Sequence, residues 1–129
     1  MIPISIQTKE RNEFIAITDL VQDVCSDMGS GIVTIFVPHT TAGITINENA
    51  DPDVKRDMLW KLGQLSPDHA EYQHAEGNSD SHVKASLMGS SVTVIVEKGV
   101  LVLGTWQGIY FCEFDGPKMR KIYIKKIKD

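Results

Sequence analysis

The chain has 129 residues, a formal net charge of −4, and 42% hydrophobic against 23% charged residues. That balance belongs to an ordinary globular chain, here read as one domain over 1–129, long enough to bury roughly two-thirds of its unfolded surface. It excludes collagen-like, coiled-coil and wholly disordered chains. No uncharged apolar run approaches the ~20 residues of a membrane span. A mildly acidic chain is also a poor partner for nucleic acid, whose binding rests on neutralised phosphates.

The opening MIPISIQTKERNEF lacks the basic and long apolar regions of a signal peptide. Cys25 and Cys112 stand far apart with no CxxC pair. Both features point to a reducing cytoplasm, with the cysteines as small buried hydrophobes.

Ile4–Ile6 and Glu13–Ile17 alternate as strands do, and the polar stretch between them predicts a first hairpin. Thr18 is placed as the N-cap of a helix whose apolar face is Leu20, Val21, Val24, Cys25 and Met28, ended by Gly29 and Gly31. Ile32–Val37 is a β-prone run closed by Pro38. The loop His39-Thr40-Thr41-Ala42-Gly43 leads into an alternating strand, Ile44–Asn47.

Asp51-Pro52 predicts the start of a second helix, with Val54, Met58, Leu62 and Leu65 as its stripe and Leu59 and Trp60 widening it. Ser66–Asn78 reads as loop. Asn78 or Ser79 caps a short third helix bearing Val83, Leu87 and Met88 and stopped by Gly89. Val92–Val96, Val100–Gly104, Ile109–Phe114 and Met119–Ile127 read as four hairpin-linked strands, with Asp115-Gly116 as a turn. Val100–Leu103 is continuously apolar, which predicts burial on both faces, by an oligomer or a closed half-barrel. The order ββαββααββββ predicts an α+β fold with a mixed, largely antiparallel sheet.

Chemistry concentrates in a few places. His39, His74 and His82 lie in loop or helix-start positions, and His69 is the fourth histidine. Three imidazoles can hold zinc and leave a position for water or substrate. Spacing alone leaves metal binding, acid–base or anion-binding work, and plain loop histidines all open. Asn47-Glu48-Asn49 is a polar cluster at a strand end, where Glu48 has no capping duty. Gly104-Thr105-Trp106-Gln107-Gly108 interrupts β text. A packed Trp106 and a buried or ligand-contacting Gln107 are expected there. No GxSxG, Walker A or GxGxxG motif occurs. Lys118, Arg120, Lys121, Lys125, Lys126 and Lys128 hold 6 of the 13 positive charges. They read first as the wet face of an edge strand, and second as an anion attractor.

Four ordered blocks then stand out. They are His39–Gly43 with Asn47-Glu48-Asn49 and Asp51–Val54; Tyr72-Gln73-His74 through Gly77-Asn78 to His82; Gly99 through Gly104-Thr105-Trp106-Gln107; and Asp115-Gly116-Pro117 with Arg120. Together they resemble the YjbQ-type family (uncharacterised protein family 47), whose members carry the label secondary thiamine-phosphate synthase. The resemblance spans essentially the whole chain.

It implies a mixed sheet curved into a half-barrel, a homotrimer, and a divalent metal, usually zinc, held by His39, His74 and His82. Glu48 would then serve as acid–base group or orient water, and Gln107 would take part in catalysis by positioning substrate. Asn78, Thr40 and Arg120 would contact a small phosphorylated substrate, and magnesium could serve in catalysis. A non-catalytic metabolite- or metal-binding protein is the rival reading, because no recognisable nucleophile is present.

Overall fold

The computed structural model describes residues 1–68 and 71–129. His69 lies outside the described residues. In chain order the elements are β1 (Ile2–Gln7), β2 (Glu13–Ala16), α1 (Thr18–Cys25), β3 (Gly31–Phe36), β4 (Ala42–Glu48), α2 (Pro52–Leu65), α3 (Ser79–Met88), β5 (Ser91–Glu97), β6 (Val100–Leu101), β7 (Gln107–Glu113) and β8 (Met119–Lys128). They form an α+β half-barrel with three helices and two sheets. One sheet has the order β1-β8-β3-β5-β6 and the other β2-β7-β4. Every pairing among the described residues is antiparallel.

The main core lies between the two sheets. Val33 and Ile35 of β3, Val94 and Val96 of β5, and Ile122 and Ile124 of β8 face Ile44, Ile109 and Phe111 across it. Val21 and Cys25 of α1 close one end. Each such side chain contributes about 1.5–3 kcal/mol by leaving water. A second core lies on the other face of the three-stranded sheet, where Phe14, Tyr110, Cys112 and Phe114 meet Leu62 of α2 and Ala85 of α3. Strand β7 is therefore covered on both faces. Both cysteines are buried and free, and burial drives the Cys112 thiol well above its ordinary range.

Several expectations from the sequence are corrected. The first two strands form no hairpin: β1 pairs with β8, and β2 with β7. Thr8 is the reason, since its amide and hydroxyl both bond the Lys118 carbonyl and its Oγ1 accepts the Lys118 N–H, at 2.8–3.0 Å. These bonds pin the end of β1 to the approach of β8. Glu13 then turns the chain by accepting the N–H groups of Lys9 and Glu10. The last four strands likewise split, with only β5 and β6 a local pair.

Thr18 does not cap α1. Its hydroxyl accepts the Ile109 N–H at 2.9 Å, bonding the helix start to β7 instead. Asp51 does cap α2, accepting the Asp53 N–H at 2.9 Å with Pro52 behind it. In that helix Leu62 is buried, while Leu65 and Trp60 are exposed. Strand β8 is not an edge: it runs between β1 and β3, and the edges are β1 and β6. Val100 and Val102 are 59% and 51% exposed, so that segment alternates about the buried Leu101.

The third helix departs furthest from its pattern. Val83 and Leu87 face outward, while Asp80, Ser81, Lys84 and Ala85 are buried. Polar contacts mount it. Asp80 is paired with Arg11 at 3.1 Å and with Lys84 at 3.5 Å. Ser66 Oγ donates to the Asp80 carbonyl, and Ser81 Oγ donates to the Phe114 carbonyl.

Candidate functional site

The helix end and β4 approach closely because residue 43 is glycine. A Cβ there would lie 2.7 Å from the Gly89 carbonyl oxygen and 3.0 Å from Met88 Cβ. That closeness lets the Ile44 N–H donate to Gly89 at 3.1 Å. It also brings His82 beside the loop that carries His39. Gly43→Ala should cost about 1–3 kcal/mol as overpacking. The shift should appear as a lower urea midpoint and displaced His82 resonances.

Two cavities share His39, Thr40 and His82 in their walls. The first, of about 440 Å³, continues along α3 past Ala85, Ser86 and Gly89. The second, of about 390 Å³, is the more polar and is completed by Thr41, His74, Glu76, Asn78, Asp115, Lys118 and Arg120. The sequence candidates His39, Thr40, His74, Asn78, His82 and Arg120 are thus assembled on one wall.

His39 follows β3, whose pairing stops at Phe36 opposite Tyr123. Its Nε2 accepts the Lys121 backbone N–H at 2.9 Å, so the ring caps a ladder that Pro38 leaves unfinished. A backbone N–H can only donate, so the nitrogen facing it carries no proton. Burial first, and then the charges of Arg120 and Lys118, hold the imidazolium of His39 below its ordinary range. The ring is half-buried.

Arg120 is not a free anion contact. It is buried, and its Nε donates to both oxygens of the buried Glu113, at 2.7 and 3.2 Å. Its Nη2 donates to Thr41 Oγ1 at 2.8 Å. The pair joins β8 to β7 and holds the His39–Thr41 loop between them. Burial pushes the Glu113 carboxyl up, and the Arg120 contact pulls it back.

Lys118, in contrast, is half-exposed at the rim and bonds Asp115 at 2.8 Å. Asp115 also accepts Nδ2 of Asn78 at 2.9 Å. Burial would raise the Asp115 carboxyl, but the bonds from Lys118 and Asn78 outweigh it and hold it below its usual range. Asn78 stands at the N-cap position of α3 without capping it, and its buried Oδ1 has no partner.

Glu48 and Gln107 are elsewhere. They oppose one another across β4 and β7, at the far end of a ladder whose other end pairs Ala42 with Glu113. Six residues of strand separate the two ends, roughly 20 Å. Gln107 is exposed and its Oε1 closes a turn by accepting the Gly104 N–H at 2.7 Å. Trp106, expected to pack, is 62% exposed. Glu48 and Gln107 line neither of the two cavities that His39 and His82 share. Lys118 and Asp115 line the second cavity but entered the sequence reading only within a basic run and a turn motif, and Glu113, behind Arg120, did not enter it as a site residue. Their signal was two carboxylates, Glu113 and Asp115, followed by two cations, Lys118 and Arg120, on either side of Gly116-Pro117.

The three-histidine zinc centre fits only in part. The His74 and His82 rings stand edge to face with centroids 5.4 Å apart. Two imidazoles on one tetrahedral zinc would be about 5 Å apart. His39 does not complete the set, because a ligating imidazole donates its second N–H outward, whereas Nε2 of His39 accepts one. Among the described residues no three His, Cys, Asp or Glu side chains are grouped to hold a metal ion. No helix among the described residues is long and apolar enough to cross a membrane.

Comparison with known proteins is consistent throughout the chain. The family model described as "UPF0047 protein YjbQ-like" matches residues 2–129. The UPF0047 protein YugU of Bacillus subtilis is 55% identical over 125 residues, which are 95% of this chain and 95% of that protein. The UPF0047 protein MJ1081 of Methanocaldococcus jannaschii is 52% identical, over 96% of this chain and 91% of its own. Among solved structures, a YjbQ/UPF0047 protein of Clostridium acetobutylicum superposes with a TM-score of 0.95 at 55% identity, covering 98% of this chain and all of that one. The conserved hypothetical protein TT1486 of Thermus thermophilus gives 0.93 at 39% identity, with 98% and 100% coverage. With sequence and fold matched end to end, the chain belongs to the YjbQ-like UPF0047 family.

Proposed function

We propose that the chain binds and transforms a small phosphorylated molecule at the wall shared by the two cavities, as a secondary thiamine-phosphate synthase does. One observation carries the reading. The 390 Å³ cavity gathers three imidazoles and Asn78 behind the exposed ammonium of Lys118, a combination suited to a polar anionic ligand. In such a synthesis a thiazole nitrogen attacks the methylene carbon of a pyrimidine methyl diphosphate. The carbon–nitrogen bond forms, the carbon–oxygen bond breaks, and diphosphate leaves with the electron pair. Lys118 would neutralise the leaving group, in place of the locked Arg120. Magnesium belongs with the oxygens of the diphosphate rather than with the histidines. Zinc has at most the paired contact of His74 and His82.

The test is steady-state turnover of the two phosphorylated halves by wild type and Lys118→Met. A drop of about tenfold or more in kcat/KM is expected, with unchanged stability because Lys118 sits at the rim. Equal turnover by both, or none above buffer, sinks the proposal. The position of Glu48 favours a second reading, a non-catalytic metabolite- or metal-binding protein. Phosphate binding without turnover would establish that reading.

The oligomer proposal, a homotrimer, rests on the outer face of the five-stranded sheet. There the pairing lines up Ile127, Ile32, Ile95 and Val102 in one row, with Ile95, Ile127 and Val102 left exposed by the described residues. An uncovered row of this kind suits a second copy of the chain. Ile95→Lys should shift light-scattering mass from trimer to monomer. A wild-type chain that is already monomeric would refute it.

A further inference from the structure

Two groups in the cavity wall have their hydrogen-bonding polarity fixed from behind, and nothing in the described residues meets them in front. His39 gives its Nε2 lone pair to the Lys121 amide. When neutral, it therefore carries its proton on Nδ1, a donor with no acceptor among the described residues. Asn78 is the opposite case. The carboxylate of Asp115 can only accept, so the Asn78 NH2 faces it and Oδ1 turns away. That oxygen is buried with no partner, and Asn78 itself is 9% exposed. A buried acceptor without a donor is costly, by more than a made hydrogen bond returns. Both residues line the same cavity.

We infer that His39 and Asn78 form a fixed donor and a fixed acceptor that together select a small molecule bearing both an oxygen acceptor and a hydroxyl or amino donor, with His39 outside any metal's coordination shell. The inference rests on the cavity being a phosphorylated-ligand site and names the class further. The ligand is a hydroxylated or amino-bearing organic phosphate rather than a bare anion. A naked phosphate dianion satisfies His39 but leaves Asn78 Oδ1 without a donor.

Long-range ¹H–¹⁵N spectra of imidazole-labelled wild type at pH 7 test the first half. His39 should show a protonated Nδ1 and a bare Nε2, unmoved by one equivalent of zinc that shifts His74 and His82. A protonated Nε2, or a zinc-induced change at His39, overturns it.

Titration with methyl phosphate and glycerol 3-phosphate tests the second half. The hydroxylated probe should bind about tenfold more tightly. That advantage should vanish in Asn78→Ala and persist in Lys118→Met. Perturbation of the Asn78 side-chain amide signal by glycerol 3-phosphate alone is the matching readout in wild type, should Asn78→Ala not fold. Equal affinity for both probes overturns the inference while leaving the phosphate site standing. No binding of either overturns the proposed function along with the ligand half, and the His39 spectrum is still decided separately.

Discussion

Arg120→Ala should destabilise the chain by about 3–5 kcal/mol, read from urea unfolding at neutral pH. The loss comes chiefly from Glu113, which is fully buried and would keep its charge without its partner. Burial already raises the Glu113 carboxyl with Arg120 in place, and removal of the guanidinium should raise it further. A raised folded-state value means that the unfolded chain releases the proton first. The penalty is therefore full above the folded value and shrinks as pH falls toward the ordinary carboxyl range near 4.5. The deficit of Arg120→Ala should narrow on acidification. Replacing both partners with apolar residues, Arg120→Met with Glu113→Leu, should recover most of the loss. A deficit independent of pH would mean that lost packing, not the stranded carboxylate, sets the cost.

Phe114→Ala should cost about 3–5 kcal/mol as a core cavity. The ring is fully buried and meets Phe14 edge-on, at a centroid distance of 6.4 Å. Its backbone accepts Ser81 Oγ and donates to the Thr41 carbonyl. One residue thus supports the α3 start, the His39–Thr41 loop and Asp115 together. The urea midpoint should fall, and the Asn78 amide signal should shift as Asp115 loosens. A stability loss with the Asn78 signal unchanged would show that the site does not depend on the second core.

The element order and most strand boundaries were legible because hydrophobic alternation reports local conformation directly. Ile32–Val37 and Asp51-Pro52 are the clearest cases. Pairing was not legible, because it depends on long-range bonds such as those from Thr8 to Lys118, which no local pattern encodes. The third helix misled for a related reason. Its buried face is Asp80, Ser81 and Lys84, satisfied by partners distant in sequence, so periodic apolar residues marked the wrong side. The histidine wall was legible as residues but not as wiring. Only the Lys121 amide reveals that His39 is a donor. Glu48 and Gln107 are cross-strand neighbours at the end of the β4–β7 ladder opposite Ala42 and Glu113, a pairing that no local pattern in the sequence announces.

The pairing of β1 with β8 also sets a timetable for synthesis. Ile2 meets Ile124, and Gln7 meets Met119. At ordinary elongation rates the first strand leaves the ribosome on the order of ten seconds before its partner exists. Throughout that interval an apolar strand waits unpaired, and closure of the five-stranded sheet is deferred until β8 has been made. The alternating lysines of β8 keep this late partner solvated until it docks between β1 and β3.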